Sequence, residues 1–167
     1  MLPDGYDEHM AAVIRRAELD DVERLGLMHS ACWYELYPDV LPPSVLGELT
    51  PAVMANYWVK FVSRGGAYEQ HVAIVDDLIV GFAGIGPGRE EGYEEAVELY
   101  FIYVLPQYRR QKIGRQLIKA LDPHYTWLWS GNRDAQTFYK KTKAFPDSVA
   151  RDGSLFGTAI EELRISF

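Results

Sequence analysis

The chain has 167 residues and a mass of 19.0 kDa, one domain's worth, since single cores run to roughly 100–200 residues. Hydrophobic residues at 48% and charged residues at 25% exclude a disordered, collagenous or coiled-coil chain. Seventeen Lys and Arg against 24 Asp and Glu leave a net charge of −7, which argues against a nucleic-acid or membrane partner and favours cationic ligands. The single cysteine, Cys32, excludes an internal disulfide or a cysteine-based metal cluster and fits a cytoplasmic location. No apolar run reaches the ~18 residues of a membrane span, and the polar start MLPDGYDEH is unlike a signal peptide.

Residues 1–10 read as a loose tail and 11–167 as a single domain. Ala12 to Arg16 is a short apolar strand. Asp20 with Glu23 resembles a capping box, and Val22, Leu25, His29, Cys32, Trp33 and Leu36 follow at helical spacing. Pro38, Pro42 and Pro43 end that helix. Thr50 and Pro51 open a second, with Met54, Tyr57, Trp58 and Phe61 as its stripe and Gly65-Gly66 as its stop. His71–Val75 and Leu78–Ile85 flank Asp76-Asp77 as a hairpin. A Gly- and Glu-rich loop precedes the strongest strand, Val97 to Leu105, which from Leu99 on is apolar on both faces, as a covered central strand is. Ile113, Leu117, Ile118 and Leu121 form a helical stripe that Asp122-Pro123 ends. Tyr125 to Trp129 is a short aromatic strand, and Asn132 caps a helix carrying Ala135, Phe138, Tyr139 and Thr142. Residues 145–151 and Ala159 to Phe167 are the last strands, the latter alternating Leu163, Ile165 and Phe167 with Glu162, Arg164 and Ser166 on an exposed face. Interleaved helices and strands define an α/β fold, a mixed central sheet flanked by helices.

The chemistry-bearing stretch is ELYFIYVLPQYRRQKIGRQLIKAL, Glu98 to Leu121. A strand runs into a basic turn that opens a helix, so free N–H groups and the positive end of the helix dipole converge. Arg109, Arg110, Lys112 and Arg115 gather positive charge there in an otherwise acidic chain. The turn reads as a polyphosphate site or, equally, as a solvated basic first turn. Gly114 leaves room for close approach to a ligand.

YVLPQYRRQKIGRQLIKAL resembles motif A of the GCN5-related N-acetyltransferases, Q/R-x-x-G-x-G/A after a V-x-P strand end. Arg109 fills the first position and Gly114 the last, and Lys112 replaces the middle glycine. The backbone can still present its N–H groups there if Lys112 adopts ordinary helical angles. LWSGNRDAQTFYKKTKAF resembles the family's N-x-x-A-x-x-F-Y-x-x-x-G-F segment, with Asn132, Ala135, Phe138, Tyr139 and Phe145 in register and Ala144 in place of a glycine that usually ends the helix.

The resemblance implies acetyl-CoA as co-substrate, lying where two central parallel strands splay. It places Ile102 and Val104 against pantetheine through their backbone and sets Arg109, Arg110, Gln111, Lys112, Gly114 and Arg115 around the pyrophosphate. Asn132 and Tyr139 complete the cofactor contacts. Tyr139 is then the general acid for the leaving sulfur, set against ordinary helix packing. Glu98 is the candidate general base among apolar neighbours, set against a strand-end carboxylate in solvent. Members that acetylate protein N-termini often carry Glu where Trp127 stands.

The implied reaction is acetyl transfer to a primary amine of a small molecule. A protein lysine or N-terminal acceptor, or a non-catalytic acyl-CoA-binding domain, are the alternatives. A homodimer is common in the family. Trp33, Tyr34, Tyr37 and Trp58 form either an aromatic acceptor wall or helix core. Glu90, Glu91, Glu94 and Glu95, with Arg89 the cation nearby, read first as a solvated loop. His29 reads as a packed or surface residue, Cys32 as core filler.

Overall fold

The computed structural model describes residues 12–167, so the expected tail lies outside the described residues. Seven strands form one mixed sheet, β1 (Val13–Arg16), β2 (Glu69–Val75), β3 (Leu78–Pro87), β4 (Val97–Val104), β5 (Tyr125–Trp129), β6 (Phe145–Leu155) and β7 (Thr158–Ser166). Their order is β1-β2-β3-β4-β5-β7-β6. Only β4 and β5 run parallel. The helices are α1 (Val22–Leu36), α2 (Pro43–Glu48), α3 (Pro51–Arg64), α4 (Ile113–Leu121) and α5 (Arg133–Lys141).

Two features depart from the sequence reading. Helix α2 is additional: Pro43 sits at its first position and starts a helix instead of ending one. The cap expected at Asp20 and Glu23 lies earlier. Asp21 accepts from the Glu18 N–H at 2.9 Å and from the Arg15 guanidinium at 2.7 and 2.8 Å. Arg15 sits on β1, so this partner exists only once the strand has docked. Elsewhere the local signals carry over. Thr50 accepts from the Val53 N–H, and Asp76 and Asp77 take left-handed angles in the β2–β3 turn.

Successive residues of a strand face opposite sides, and both sides are covered. Ala73, Ala83, Leu99 and Ile165 pack beneath Ile113, Leu117 and Tyr139 of α4 and α5. Val72, Phe82 and Tyr103 pack beneath Leu25, Met28 and Trp58 of α1 and α3. Trp58 is thus core, not acceptor wall. Gly26 lets α1 lie directly against the start of α3.

His29 is buried in this second layer, its ring within 6.0 Å of the rings of Trp33, Trp58, Phe82 and Phe101. Burial lowers its pKa from 6.5 to about 4. Between those values the unfolded chain binds a proton that the folded chain refuses. Stability is therefore complete above pH 6.5 and falls as the pH drops toward 4, by about 3 kcal/mol over the whole window. Urea midpoints measured across this range will show a slope of that sign, and His29→Leu will remove most of it, leaving the part due to His71, whose pKa burial also lowers.

The sheet opens at one place. Along β3 and β4 the register shifts, with Ile85 opposite Leu99 and Gly84 opposite Phe101, so Tyr100 is an extra residue on β4. Such a bulge bends its strand. Pairing between β4 and β5 is confined to Glu98 with Tyr125 and Leu99 with Thr126. Beyond the bulge the two parallel strands part.

Candidate active site

The gap between β4 and β5 has one polar wall. The Leu105 N–H donates to the Val80 carbonyl on β3, so the Val104 carbonyl points the opposite way, into the gap. Strand alternation turns the N–H and carbonyl of Ile102 the same way. Ile102 and Val104, the residues read from the sequence as pantetheine contacts, thus both turn backbone groups into the gap. At the Val104 carbonyl the occupant is Arg109, whose Nε donates to it at 2.9 Å.

Below the gap lies the turn into α4. The backbone N–H groups from Arg110 to Arg115 have no hydrogen-bond partner among the described residues, and the helix accepts its first bond at the Lys112 carbonyl, from Gln116. This is the donor cluster of an anion site. Lys112 takes φ 65° and ψ 3°, the left-handed region and not ordinary helical angles, and the N–H groups of the turn are free all the same. Arg110 does the same, with φ 65°. Lys112 thus adopts the conformation that the missing glycine would adopt freely, at the cost of local strain. Lys112→Gly will keep the fold and raise stability by about 1 kcal/mol, roughly 2–4 °C in Tm, as thermal melts will show.

The polar side chains of the turn divide into two sets. Arg109 reaches Glu35 of α1 at 2.5 Å, and Glu35 also accepts from the Tyr103 hydroxyl. Arg115 donates to the Lys141 carbonyl at the end of α5, and Gln111 to the Gln107 carbonyl. Those three side chains are committed to the protein, which leaves Arg110 and Lys112, both exposed, beside the free N–H groups. Gly114 answers a different need from the one expected. A Cβ there would lie 2.9 Å from the Phe138 ring, so the glycine admits α5 against α4.

Helix α5 begins at Asn132, whose Oδ1 accepts from the Ala135 N–H at 3.0 Å. That bond commits the carbonyl end of the side chain to capping. The helix ends with Lys143 at φ 68°, so the left-handed position falls one residue before Ala144, which is buried in the core. Tyr139 is buried on the sheet side of α5, edge-on to Phe167 at 5.6 Å. Its hydroxyl lies beside Thr126, and burial pushes the phenol above its ordinary 10. Thr126 donates to the Leu99 carbonyl at 2.7 Å, in the last β4–β5 pair before the strands part. Tyr139 therefore stands at the closed end of the gap.

Glu98 differs most from expectation. It is 0% exposed, and its neighbours are not apolar. One oxygen accepts from Nε (3.0 Å) and Nη2 of Arg89. The other accepts from the Arg89 backbone N–H at 3.0 Å and the Tyr125 hydroxyl at 3.1 Å. The loop that carries Arg89 is not simply solvated either. Glu90 accepts from the Trp127 indole at 2.5 Å and from Arg164 at 3.4 Å, while Glu91, Glu94 and Glu95 are exposed. The β7 face expected in solvent is part of this network, since Arg164 donates to Asp147 at 2.7 Å and Arg151 to Glu162 at 2.8 Å.

On the α1 side the gap is bordered by rings. Trp33 meets Tyr37 at 5.0 Å and Phe156 of the β6–β7 turn at 5.3 Å, and Tyr37 meets Trp129 at 5.7 Å. Tyr34 is exposed and outside this group. Sequence reasoning missed Trp129 and Phe156 as partners of α1. The alternating aromatics of Tyr125–Trp129 were the available signal for the first of them.

A parallel-strand gap with an N–H-lined turn at its mouth is the architecture of an acyl-CoA-dependent transferase, and comparison with known proteins agrees. Residues 66–142 match the family model for an acetyltransferase (GNAT) domain. The uncharacterized N-acetyltransferase YuaI of Bacillus subtilis (strain 168) is 31% identical over 169 residues, which cover 92% of this chain and 91% of that protein. The chain belongs to the GNAT family of N-acetyltransferases. The fold is shared with a ribosomal-protein-alanine N-acetyltransferase from Brucella melitensis (TM-score 0.67, 20% identity, 93% of this chain and 98% of that one). It is shared as well with the PaiA N-acetyltransferase from Thermoplasma acidophilum, solved with coenzyme A (TM-score 0.64, 17% identity, 95% and 100%). Among the described residues no helix is long and apolar enough to cross a membrane.

Proposed function

We propose that this N-acetyltransferase moves the acetyl group of acetyl-CoA to the primary amine of a small molecule. The observation that carries the reading is the gap itself, opened by the bulge at Tyr100 and lined by the backbone groups of Ile102 and the N–H of Val104, whose carbonyl is taken by Arg109. Pantetheine carries two amides, and an extended chain with amides pairs with an unpartnered strand edge. The free N–H groups from Arg110 to Arg115, with Arg110 and Lys112 beside them, fit its pyrophosphate.

When bound, acetyl-CoA supplies a thioester carbonyl at the closed end of the gap. The neutral amine attacks that carbon, a C–N bond forms and the C–S bond breaks. The Ile102 N–H donates toward the carbonyl oxygen as negative charge builds there. Tyr139 gives its proton to the departing sulfur, the amine's surplus proton leaves to solvent, and a proton from solvent restores the Tyr139 phenol before the next turnover. The products are the N-acetylated amine and the free thiol. Burial holds the Tyr139 phenol protonated at neutral pH, as a general acid must be. The ring-lined entrance of Trp33, Tyr37, Trp129 and Phe156 supports an acceptor presented on a slender chain, and such rings favour a cationic one.

Thermal melts with acetyl-CoA, CoA and ATP test the reading. At a hundredfold excess over Kd a ligand adds about 2.7 kcal/mol, a rise of several degrees for a domain of this size. The expected result is a rise with acetyl-CoA and CoA but not ATP, followed by thiol release with small amines and not with peptides. No rise at millimolar acetyl-CoA overturns it.

A further inference from the structure

Glu98 is the one fully buried carboxylate among the described residues, and the acid–base assignment leaves it without a settled role. Each of its oxygens already accepts two hydrogen bonds, three of the four donors belonging to Arg89. A carboxylate so filled has no lone pair aimed at a water or an amine. Its partners build a consistent picture. Arg89 lies over the Tyr100 ring at 4.5 Å, on the bulge that opens the gap. One residue on, Glu90 holds the Trp127 indole and Arg164. Tyr93 stands edge-on to Tyr125 at 5.5 Å beneath the Arg164 guanidinium. At Gly88 a Cβ would lie 2.0 Å from the Tyr93 carbonyl and 2.8 Å from the Tyr125 hydroxyl. The loop from Gly88 to Ala96 is therefore fastened to β4, β5 and β7, on the sheet face opposite α4 and α5.

We propose that Glu98 is a positioning residue, which with Arg89 locks the β3–β4 loop as a fixed wall of the acceptor site and does not take the amine's proton. This rests on the acetyl-transfer reading above. The groups facing Glu98 are Arg89 from the loop, Tyr100 from β4 and Tyr125 from β5, with Glu90 and Glu162 the nearest further carboxylates to act on that set. The guanidinium of Arg89 converges on one oxygen of Glu98 and the Arg89 backbone N–H takes the other, so one residue holds both ends of the carboxylate. Breaking that hold from either side has one consequence, a loosened wall. A base would behave differently, because only its own removal would stop proton transfer.

Steady-state kinetics of the full chain with a series of primary amines of differing pKa distinguish the two. Glu98→Gln and Arg89→Gln should both raise KM for the amine, by about tenfold, and hold kcat within about threefold. The acid limb of kcat/KM should follow the pKa of each amine and stay in place in Glu98→Gln. A fall in kcat of about a hundredfold in Glu98→Gln, with unchanged KM and an unaltered Arg89→Gln enzyme, would overturn the proposal. Should Glu98→Gln fail to fold, Arg89→Gln and Arg89→Lys carry the comparison. Hydrogen exchange needs no turnover. The Arg89 amide should exchange at least about a hundredfold more slowly than those of Glu91 and Gly92, and lose that protection in Arg89→Lys. Equal rates in the unaltered protein would sink the lock, whereas absent turnover with a protected Arg89 amide would count against acetyl transfer alone.

Discussion

Replacing Tyr139 by Phe will lower kcat for acetyl transfer by about a hundredfold or more while leaving the Kd for CoA within about threefold. The substitution removes one oxygen and keeps the ring, so packing against Phe138 and Phe167 survives. What it removes is the hydroxyl that we propose as the proton donor at the closed end of the gap. Without a donor the sulfur must leave as a thiolate, and the barrier rises. Because burial displaces the phenol upward from 10, the acid stays protonated through neutral pH. The kcat profile should therefore show no alkaline fall attributable to Tyr139 up to about pH 9.5. Single-turnover thiol release beside CoA calorimetry reads both quantities. Unchanged turnover in the variant would remove Tyr139 from the chemistry and leave it a packing residue.

The largest effect on stability is expected at Gly26, from one added methyl group. A Cβ there would sit 2.5 Å from the Pro51 carbonyl oxygen and 2.6 Å from the Ala55 nitrogen. Both contacts are backbone, so no side chain can swing aside. Helix α1 would have to move off α3 and pull Leu25, Met28 and Trp58 of the two helices away from Val72, Phe82 and Tyr103 of the sheet. Gly26→Ala should cost about 3 kcal/mol or more, a large part of a typical domain's stability, and lower Tm by roughly 6–12 °C. Differential scanning calorimetry of the two proteins decides it. A loss within about 0.5 kcal/mol, the range of surface substitutions, would mean that α1 has room the structure does not give it.

What could be read in the sequence was what neighbours in the chain determine. The α4 stripe of Ile113, Leu117 and Leu121 and the Asn132 cap each depend on residues a few positions apart, and each forms as expected. The two-residue Asp76-Asp77 turn is local as well. Partners distant in sequence were not legible. Arg109 was read as a phosphate ligand because its charge sits in the motif, yet its guanidinium is held by Glu35, seventy-four positions away. Apolar neighbours flank Glu98 along β4, but its side chain meets Arg89 and Tyr125 across the sheet. Lys112 misled in another way. The turn's geometry requires a left-handed residue whatever occupies it, so a lysine there bears a strain that its identity does not announce.

The seam between β4 and β5 bears on how the protein breathes. Within the sheet, two register pairs join the leaf of β1 to β4 to the leaf of β5 to β7, and outside it the β3–β4 loop and the contact of α4 with α5 bridge the two. A ligand bound in the gap would act as an extra strand between the leaves. Opening of one leaf against the other should then be the excursion that ligand suppresses, slowing exchange on both sides of the seam together. A catalyst built this way gains rigidity at the moment it holds its substrate, and between turnovers it is free to part and release what it has made.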